Sequence, residues 1–170
     1  MIPFFQQSRG DPWHRIGLAS AFPDLSSNQP EDCSKITPSC KAFYIPSSNG
    51  SSSGDAPKEA DIEAPGDLKD QVLVFQYKGK FHAVDHSCPH SSFPLSQASV
   101  FDIEDFGITL SAGLTCPKHG WSFDLFSGQG DRGNYKLKIW EVELREPAVS
   151  SEDGSKGDME VWVRRKQRIG

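Results

Sequence analysis

Apolar and polar residues alternate along several short segments of this chain, a pattern typical of half-buried β-strands. The segment WSFDLF at 121–126 places Trp, Phe and Leu at every second position, whereas QVLVFQY at 71–77 is almost continuously apolar. Shorter runs rich in aromatic and β-branched residues lie at 13–20, 40–46 and 159–164. Together these segments predict an all-β fold.

The segments 71–77 and 80–85 are joined by Lys78 and Gly79 alone. Because glycine adopts the positive φ that tight two-residue turns require, we expect a β-hairpin here. This hairpin leads directly into the loop CPHSSFPLS at 88–96. A second hairpin is expected where WSFDLF ends at the turn-rich run SGQGDRGN.

A long polar segment at about 47–70 is dominated by Ser, Gly, Asp, Glu and Pro. Such a segment buries too little apolar surface to offset its ordering entropy, so we expect a flexible loop inside one domain that spans 1–170. A linker between two domains is the alternative, but the residues before it would make a poor domain alone.

Composition and charge exclude some classes of function. Hydrophobic residues make up 36% of the 170 residues, with 15 Gly and 12 Pro, which suits a soluble, loop-rich globular protein. A net charge of −5 argues against nucleic-acid binding. No apolar run approaches the roughly 20 residues that cross a bilayer, and the first residues do not resemble a secretory signal. We therefore expect a cytoplasmic, reducing compartment, in which cysteines are metal ligands or free thiols.

Two loops repeat one pattern of chemically active residues. CPHSSFPLS contains Cys88 and His90 as C-x-H, and CPKHGWSFD at 116–124 contains Cys116 and His119 as C-x2-H. Two cysteines and two histidines by themselves suit tetrahedral zinc, an iron–sulfur cluster or no metal. Zinc fingers usually group like ligands, whereas loops that each contribute one thiolate and one imidazole suit an asymmetric two-iron cluster. A structural zinc site stays open as an alternative.

These loops resemble those of Rieske [2Fe–2S] proteins, including Pro89, Pro117 and the run HGWSFD at 119–124. The resemblance is strong over about 81–128 and weaker over 13–164. It implies that a [2Fe–2S] cluster is bound in a small two-loop subdomain, about 84–127, on an antiparallel β-sandwich or barrel base. It also implies the following cofactor-binding and metal ligands: Cys88, His90, Cys116 and His119.

The resemblance also narrows the subfamily. Rieske proteins of respiratory and photosynthetic membrane complexes carry an extra cysteine in each loop and a serine after HG. The corresponding positions here are Phe93, Lys118 and Trp121. A soluble ferredoxin-type protein without the disulfide is therefore implied. Its reduction potential is expected near the low end of the Rieske range, roughly −150 mV.

We expect electron transfer rather than catalysis, and no catalytic residues. The other histidines, His14, His82 and His86, form no motif for a mononuclear iron site, and the last two are expected to be structural or surface residues. The resemblance implies a monomeric carrier that takes electrons from a flavin-type reductase and passes them to an oxygenase or other redox enzyme at the edges of His90 and His119. The alternatives are the small Rieske component of a multi-subunit reductase, as in nitrite reductase, and a redox-sensing interaction module.

Two insertions make this chain longer than typical small carriers of the family. They cover 26–70 and 98–113. The second is expected to hold a short helix capped by Ser99 and to pack Phe101, Ile103 and Phe106 on the barrel, with a part in a partner-docking rim as the alternative. Cys33 and Cys40 in the first insertion are expected to be free thiols, with a regulatory disulfide as the alternative. Trp121 is expected to shield the cluster.

Overall fold

A computed structural model describes residues 13–25, 36, 39–45, 57–62, 68–105, 107–146 and 159–165, with the backbone alone for 104, 105 and 108–111. These residues form ten β-strands and two short 3-10 helices, Ala19–Ala21 and Leu95–Gln97, which confirms the all-β prediction. The strands are β1 His14–Leu18, β2 Lys41–Tyr44, β3 Lys58–Ala60, β4 Gln71–Tyr77, β5 Lys80–Asp85, β6 Ser99–Asp105, β7 Ile108–Cys116, β8 Trp121–Asp124, β9 Ile139–Arg145 and β10 Glu160–Arg165.

The larger sheet has seven antiparallel strands in the order β1-β10-β9-β5-β4-β2-β3. The predicted hairpin of β4 and β5 is confirmed, with Tyr77 paired to Lys80. Its two turn residues both have positive φ, 49° at Lys78 and 78° at Gly79, as a two-residue hairpin turn requires. The β4–β5 hairpin thus forms the centre of the sheet and carries the chain toward the first Cys/His loop.

The smaller sheet consists of β6, β7 and β8 in that order. The first Cys/His loop lies between β5 and β6, and the second joins β7 to β8. Ser99 at the start of β6 pairs with Thr115 near the end of β7, so both loops lie at the same end of this sheet. Both Cys/His loops therefore extend from this three-stranded sheet.

The prediction of a short helix in 98–113 is wrong. This insertion forms β6 and much of β7, and the 3-10 turn Leu95–Gln97 precedes it. Phe101 covers Gly113, where an added Cβ would lie 2.3 Å from the ring, while 39% of the Phe101 residue remains exposed. Ile103 is half-buried, and Phe106 lies outside the described residues. The pairing preference of this β-branched and aromatic run outweighs the local capping signal of Ser99.

The prediction of an unstructured loop over 47–70 needs a correction. β3 lies within it and pairs with β2, from Ala42 opposite Ala60 to Tyr44 opposite Lys58. Ala60 and Ile62 pack against the core. An edge strand of three residues is held mainly by backbone hydrogen bonds. Such bonds do not require alternating apolar and polar side chains, so the sequence pattern does not reveal the strand. Residues 47–56 and 63–67, and Cys33, lie outside the described residues; Cys40 is buried.

Each face of β4 packs into a different hydrophobic cluster. Because both faces are buried, nearly every residue of the strand is apolar. Leu73 and Phe75 belong to a cluster that reaches the smaller sheet through Leu114 and Phe123. Val72 and Val74 belong to a second cluster. The first cluster also contains Cys88 and Cys116, so the paired loops rest on the core that joins the two sheets. Within the described ranges, no helix has the length and apolar character needed to span a membrane.

Candidate metal centre

The first Cys/His loop is closed by its own backbone. The Cys88 amide donates to the Phe93 carbonyl at 3.0 Å, and the Ser92 amide donates to the Cys88 carbonyl at 2.8 Å. Ser92 adopts a φ of 58°, the left-handed conformation that reverses the chain. The turn leaves Cys88 1% exposed in the core and His90 half-buried near the surface.

His86 fastens the base of this loop. Its backbone carbonyl accepts the Leu95 amide at 2.8 Å, its Nδ1 is 2.8 Å from Gln71 Oε1, and its Nε2 is 3.0 Å from Ser96 Oγ. Burial lowers the pKa of His86 to about 4, so the ring is neutral at pH 7 and bonds as a donor to one partner and an acceptor to the other. The expectation of a structural role for His86 agrees with these contacts.

His82 is likewise part of the packing rather than of the loops. Its ring stacks on Phe75 with centroids 5.5 Å apart and meets Phe126 edge-on at 6.1 Å. Burial, together with the nearby Lys80 charge, lowers the pKa of His82 to about 4. The structure therefore separates these two histidines from the pair in the loops.

The second loop is a tight reversal between β7 and β8. The Gly120 amide donates to the Cys116 carbonyl at 3.0 Å, and Gly120 has a φ of 71°. An added Cβ there would meet nothing within 4 Å, so the glycine is needed for its backbone conformation and not for a close approach. The Lys118 amide donates to the Cys116 sulfur.

Cys88 and Cys116 are neighbours, each only 1% exposed. Burial raises the pKa of the Cys116 thiol, the Lys118 amide opposes this rise, and the adjacent Cys88 raises the pKa further. The Cys116 thiol is thus hard to ionise by itself. Iron would compensate the charge of both thiolates, because a coordinating metal deprotonates a thiol outright.

The two imidazoles also lie together, with ring centroids 5.1 Å apart and planes at 72°. His119 is exposed and His90 is half-buried. The Nδ1 atom of His90 is buried and has no hydrogen-bond partner among the described residues. No group of three or more Cys, His, Asp or Glu side chains within the described ranges is arranged to hold a single metal ion. A two-iron cluster needs only two protein ligands on each iron, and an orphaned buried ring nitrogen is an atom that a metal would satisfy, so the residues present fit a cluster held by two thiolates and two imidazoles.

An aromatic group covers the His90 ring. Trp121 stacks on it with centroids 3.9 Å apart and an interplanar angle of 9°, and Tyr135 meets both His90 and Trp121 edge-on at 5.2 Å. Trp121 thus lies against a proposed ligand, and its shielding of the cluster stays a prediction. Tyr135 was not predicted as a site residue from the sequence. The only indication in the sequence is that an aromatic residue follows a polar turn.

Tyr135 reaches the site because the chain after β8 folds back on that strand. The Gly130 amide donates to the Tyr135 carbonyl at 3.1 Å, and the Leu137 amide donates to the Gly128 carbonyl at 2.7 Å. Gly128 has a φ of 78°, and an added Cβ would lie 2.0 Å from the Leu137 carbonyl oxygen. Only glycine permits this close return of the chain.

One hydroxyl group connects the two loops. Ser91 Oγ lies 4.0 Å from Cys116 Sγ, at the outer limit for a hydrogen bond to sulfur. Ser91 follows the first pair of predicted ligands, whereas Cys116 begins the second. The first loop therefore brings a polar donor to a sulfur of the other loop.

Comparisons with known proteins agree on one family. A family model of the Rieske [2Fe-2S] domain matches residues 54–139. The ferredoxin component of an alkene monooxygenase system from Xanthobacter autotrophicus is 35% identical over 60 residues, which cover 35% of this chain and 43% of that protein. A human Rieske domain-containing protein is 38% identical over 60 residues, which cover 35% of each chain.

A solved structure supports the fold over a larger part of the chain. A protein named as the NADH-dependent nitrite reductase small subunit from Mycobacterium tuberculosis superposes with a TM-score of 0.51 and 13% identity, covering 92% of this chain and 98% of that one. At this identity the likeness concerns the fold alone. The matches to the curated relatives span less than half of those proteins' lengths.

Proposed function

Because the chain belongs to the Rieske [2Fe–2S] domain family, we propose that it is a ferredoxin-type carrier that transfers one electron at a time between two redox proteins. Its cofactor is a Rieske-type [2Fe–2S] cluster. The residues proposed to hold the cluster are Cys88, His90, Cys116 and His119. The observation that carries the proposal is a pair of neighbouring buried thiols and a pair of neighbouring imidazoles on the same two loops, with one buried imidazole nitrogen that has no partner among the described residues.

When bound, the cluster supplies reversible one-electron chemistry and requires no bond making by the protein. The protein's own part is to hold the cluster and to shield its thiolate side from solvent. The thiols lie in the hydrophobic core, and the imidazoles lie toward solvent, which favours electron exchange at the imidazole side. The Lys118 amide and the Ser91 hydroxyl face Cys116 and would stabilise negative charge on its sulfur.

We propose a flavin-type reductase as the donor and an oxygenase or other redox enzyme as the acceptor. The relative named as a ferredoxin component of a monooxygenase system supports this assignment. We propose no catalytic residue. The expectations of a monomer and of a cytoplasmic location stay predictions.

The test starts with anaerobically purified full-length protein. Iron and acid-labile sulfide should be present in equal amounts, and the reduced sample should show the EPR spectrum of a Rieske cluster. Cys116→Ala and His119→Ala should abolish the spectrum, whereas Cys40→Ala, which removes a buried thiol away from the loops, should retain it. Zinc without acid-labile sulfide would contradict the proposal.

A second measurement separates the carrier from its alternatives. Reduced protein mixed with an oxidised ring-hydroxylating oxygenase should be reoxidised over many cycles when a flavin reductase and NADH are supplied. Stable co-purification with a large flavin- or haem-bearing chain would favour the subunit of a multi-subunit reductase. Cluster-dependent binding to a protein without turnover would favour a sensor.

A further inference from the structure

We infer that electrons leave through the loop of His119 rather than through His90, and that this loop docks on an acidic face of the redox partner. The inference rests on the proposed function and deepens it, because it assigns one of two imidazoles to the exchange surface and gives the partner a charge. Two independent features support it: the aromatic cover over His90, and the distribution of charged side chains around the loops.

The cover makes the two imidazoles unequal. Trp121 lies flat against one face of the His90 ring, and Tyr135 adds an edge-on contact. The only ring contact of His119 with a described residue is its edge-on approach to His90. We call the end of the molecule formed by the two Cys/His loops the tip. A partner that approaches the tip therefore contacts the His119 ring directly, while aromatic side chains separate part of the His90 ring from that partner.

The loop around His119 is also the more accessible one. Its four consecutive residues Pro117, Lys118, His119 and Gly120 are all exposed. In the first loop, His90 and its neighbours Pro89 and Ser91 are half-buried. The shortest exposed path between the paired loops and a docked protein thus runs through the second loop.

Three exposed cations lie in this loop or on the chain that packs beside Trp121. Lys118 belongs to it, and Arg132 and Lys136 lie on the exposed chain that folds back beside Trp121. Contact between this chain and Trp121 is close, since an added Cβ on Gly133 would lie 3.7 Å from Trp121 Cη2. None of these three cations takes part in an ion pair within the described part of the chain.

The carboxylates of the same region are engaged with the backbone. Asp124 Oδ1 accepts the Phe126 amide at 2.7 Å and the Ser127 amide at 3.0 Å. Asp131 Oδ1 accepts the Ser122 amide at 3.1 Å. Both carboxylates are therefore oriented by loop amides, whereas the cations extend into solvent. The local field at the tip is more positive than a count of charges suggests.

The chain as a whole is acidic. The whole chain carries a net charge of −5. Asp105 pairs with Ile108 at the far end of the β6–β7 hairpin, about 20 Å from the loops at the usual rise per strand residue. Asp102 on the same strand is bonded to Lys78 and Tyr77. An acidic protein with a basic tip would orient itself toward an acidic partner during approach.

The charge of the exchange surface can be measured without knowing the partner. Reduced holoprotein is mixed with ferricyanide, an anionic oxidant, or with hexaammineruthenium(III), a cationic one, at several ionic strengths. Lys118→Gln should slow the ferricyanide reaction about threefold at low salt and should not slow the ruthenium reaction. The effect should vanish at about 1 M salt, where the Debye length is roughly 3 Å.

Lys58→Gln is the matched control, because it removes one exposed lysine on the edge strand β3. It should leave both rates unchanged. Equal effects of the two substitutions on the oxidation rates would overturn the inference. A faster reaction of the Lys118→Gln variant with ferricyanide would overturn it as well. The unsubstituted protein and each variant are first checked for the EPR signal of the cluster. Absence of the signal from the unsubstituted protein overturns the proposed function, whereas intact signals with equal oxidation rates in all variants overturn only the docking surface.

The choice of imidazole is tested by chemical modification of the oxidised holoprotein. Diethyl pyrocarbonate should modify His119 several-fold faster than His90, as mapped by mass spectrometry. Tyr135→Ala should raise the rate at His90, whereas Tyr135→Phe, which keeps the ring, should not. Equal modification of both histidines in the unmodified sequence would contradict an exit through His119.

Discussion

The imidazole of His90 lies parallel to the indole of Trp121, with ring centroids 3.9 Å apart. Trp121 begins β8, so its backbone is fixed by pairing with Cys116 at the end of β7. The stack therefore connects the orientation of a proposed ligand in one loop to the strand that follows the other loop. Each loop is held in place partly by the other.

Replacing Trp121 with Ala should loosen His90 and weaken the site. Loss of a half-buried aromatic contact is expected to lower the free energy of unfolding by about 1–3 kcal/mol. The reduced protein should show broadened EPR lines because the imidazole plane is less well fixed. Denaturant unfolding and EPR measure the two effects. Trp121→Phe keeps a stacked ring and should lie between the two proteins; identical spectra for all three would contradict a positioning role.

The reduction potential should lie near the low end of the Rieske range, roughly −150 mV. The residue after Gly120 is Trp121, which brings no hydroxyl group to the site, and donors that point at the sulfurs are what raise the potential. A spectroscopic redox titration measures the value. A potential above about +100 mV, still inside the range of the family, would refute the prediction.

Ser91→Ala should lower that potential further. The hydroxyl lies 4.0 Å from Cys116 Sγ and stabilises added negative charge there. A hydrogen bond worth roughly 0.5–1.5 kcal/mol corresponds to about 20–60 mV for a one-electron couple. Ser92→Asn, an exposed change in the same loop at a residue with positive φ, serves as the control. A shift of equal size in both variants would assign the effect to the loop and not to the hydroxyl.

Stability should fall as the pH is lowered below about 6.5. His82 has a pKa of about 4 in the folded protein, so between about 4 and 6.5 the unfolded chain binds a proton that the folded chain does not. Each such histidine reduces stability by at most about 1.4 kcal/mol per pH unit in this window. His86 has the same shift and should contribute in the same direction.

The variant His82→Phe should reduce this pH dependence while preserving the packing, since its neighbours Phe75 and Phe126 are aromatic. Urea unfolding at pH 5.0 and 7.0 gives the difference for both proteins. An unchanged slope in the variant would show that His82 does not contribute to acid lability.

Gly128→Ala should strongly destabilise the chain that returns Tyr135 to the site. The added Cβ would lie 2.0 Å from the Leu137 carbonyl oxygen, a backbone atom that cannot move without the whole turn. We expect a loss of more than about 2 kcal/mol. Gly79→Ala has the same φ of 78° but nothing within 4 Å, and should cost only about 1 kcal/mol of backbone strain. Thermal unfolding compares them, and equal losses would rule out the steric clash.

The strands around the site could be predicted well because their signals are local. The alternation in 121–126 and the Lys78-Gly79 turn depend on neighbours in the sequence, and β4, β5 and β8 formed close to where they were expected. The helix in 98–113 failed for the complementary reason. A capping residue such as Ser99 contributes little when β7 offers a long pairing partner.

The sequence by itself determined the chemistry of the centre, since the spacing of Cys88, His90, Cys116 and His119 within two short loops is a local property that restricts the metal they suit. Only the tertiary structure decided that the thiols are buried together, that Trp121 and Tyr135 cover one imidazole, and that His119 is left exposed. These relationships bring together residues that are distant in the chain, through packing and through the chain folding back on β8. Contacts of that kind produce no periodic pattern in the sequence from which they could be predicted.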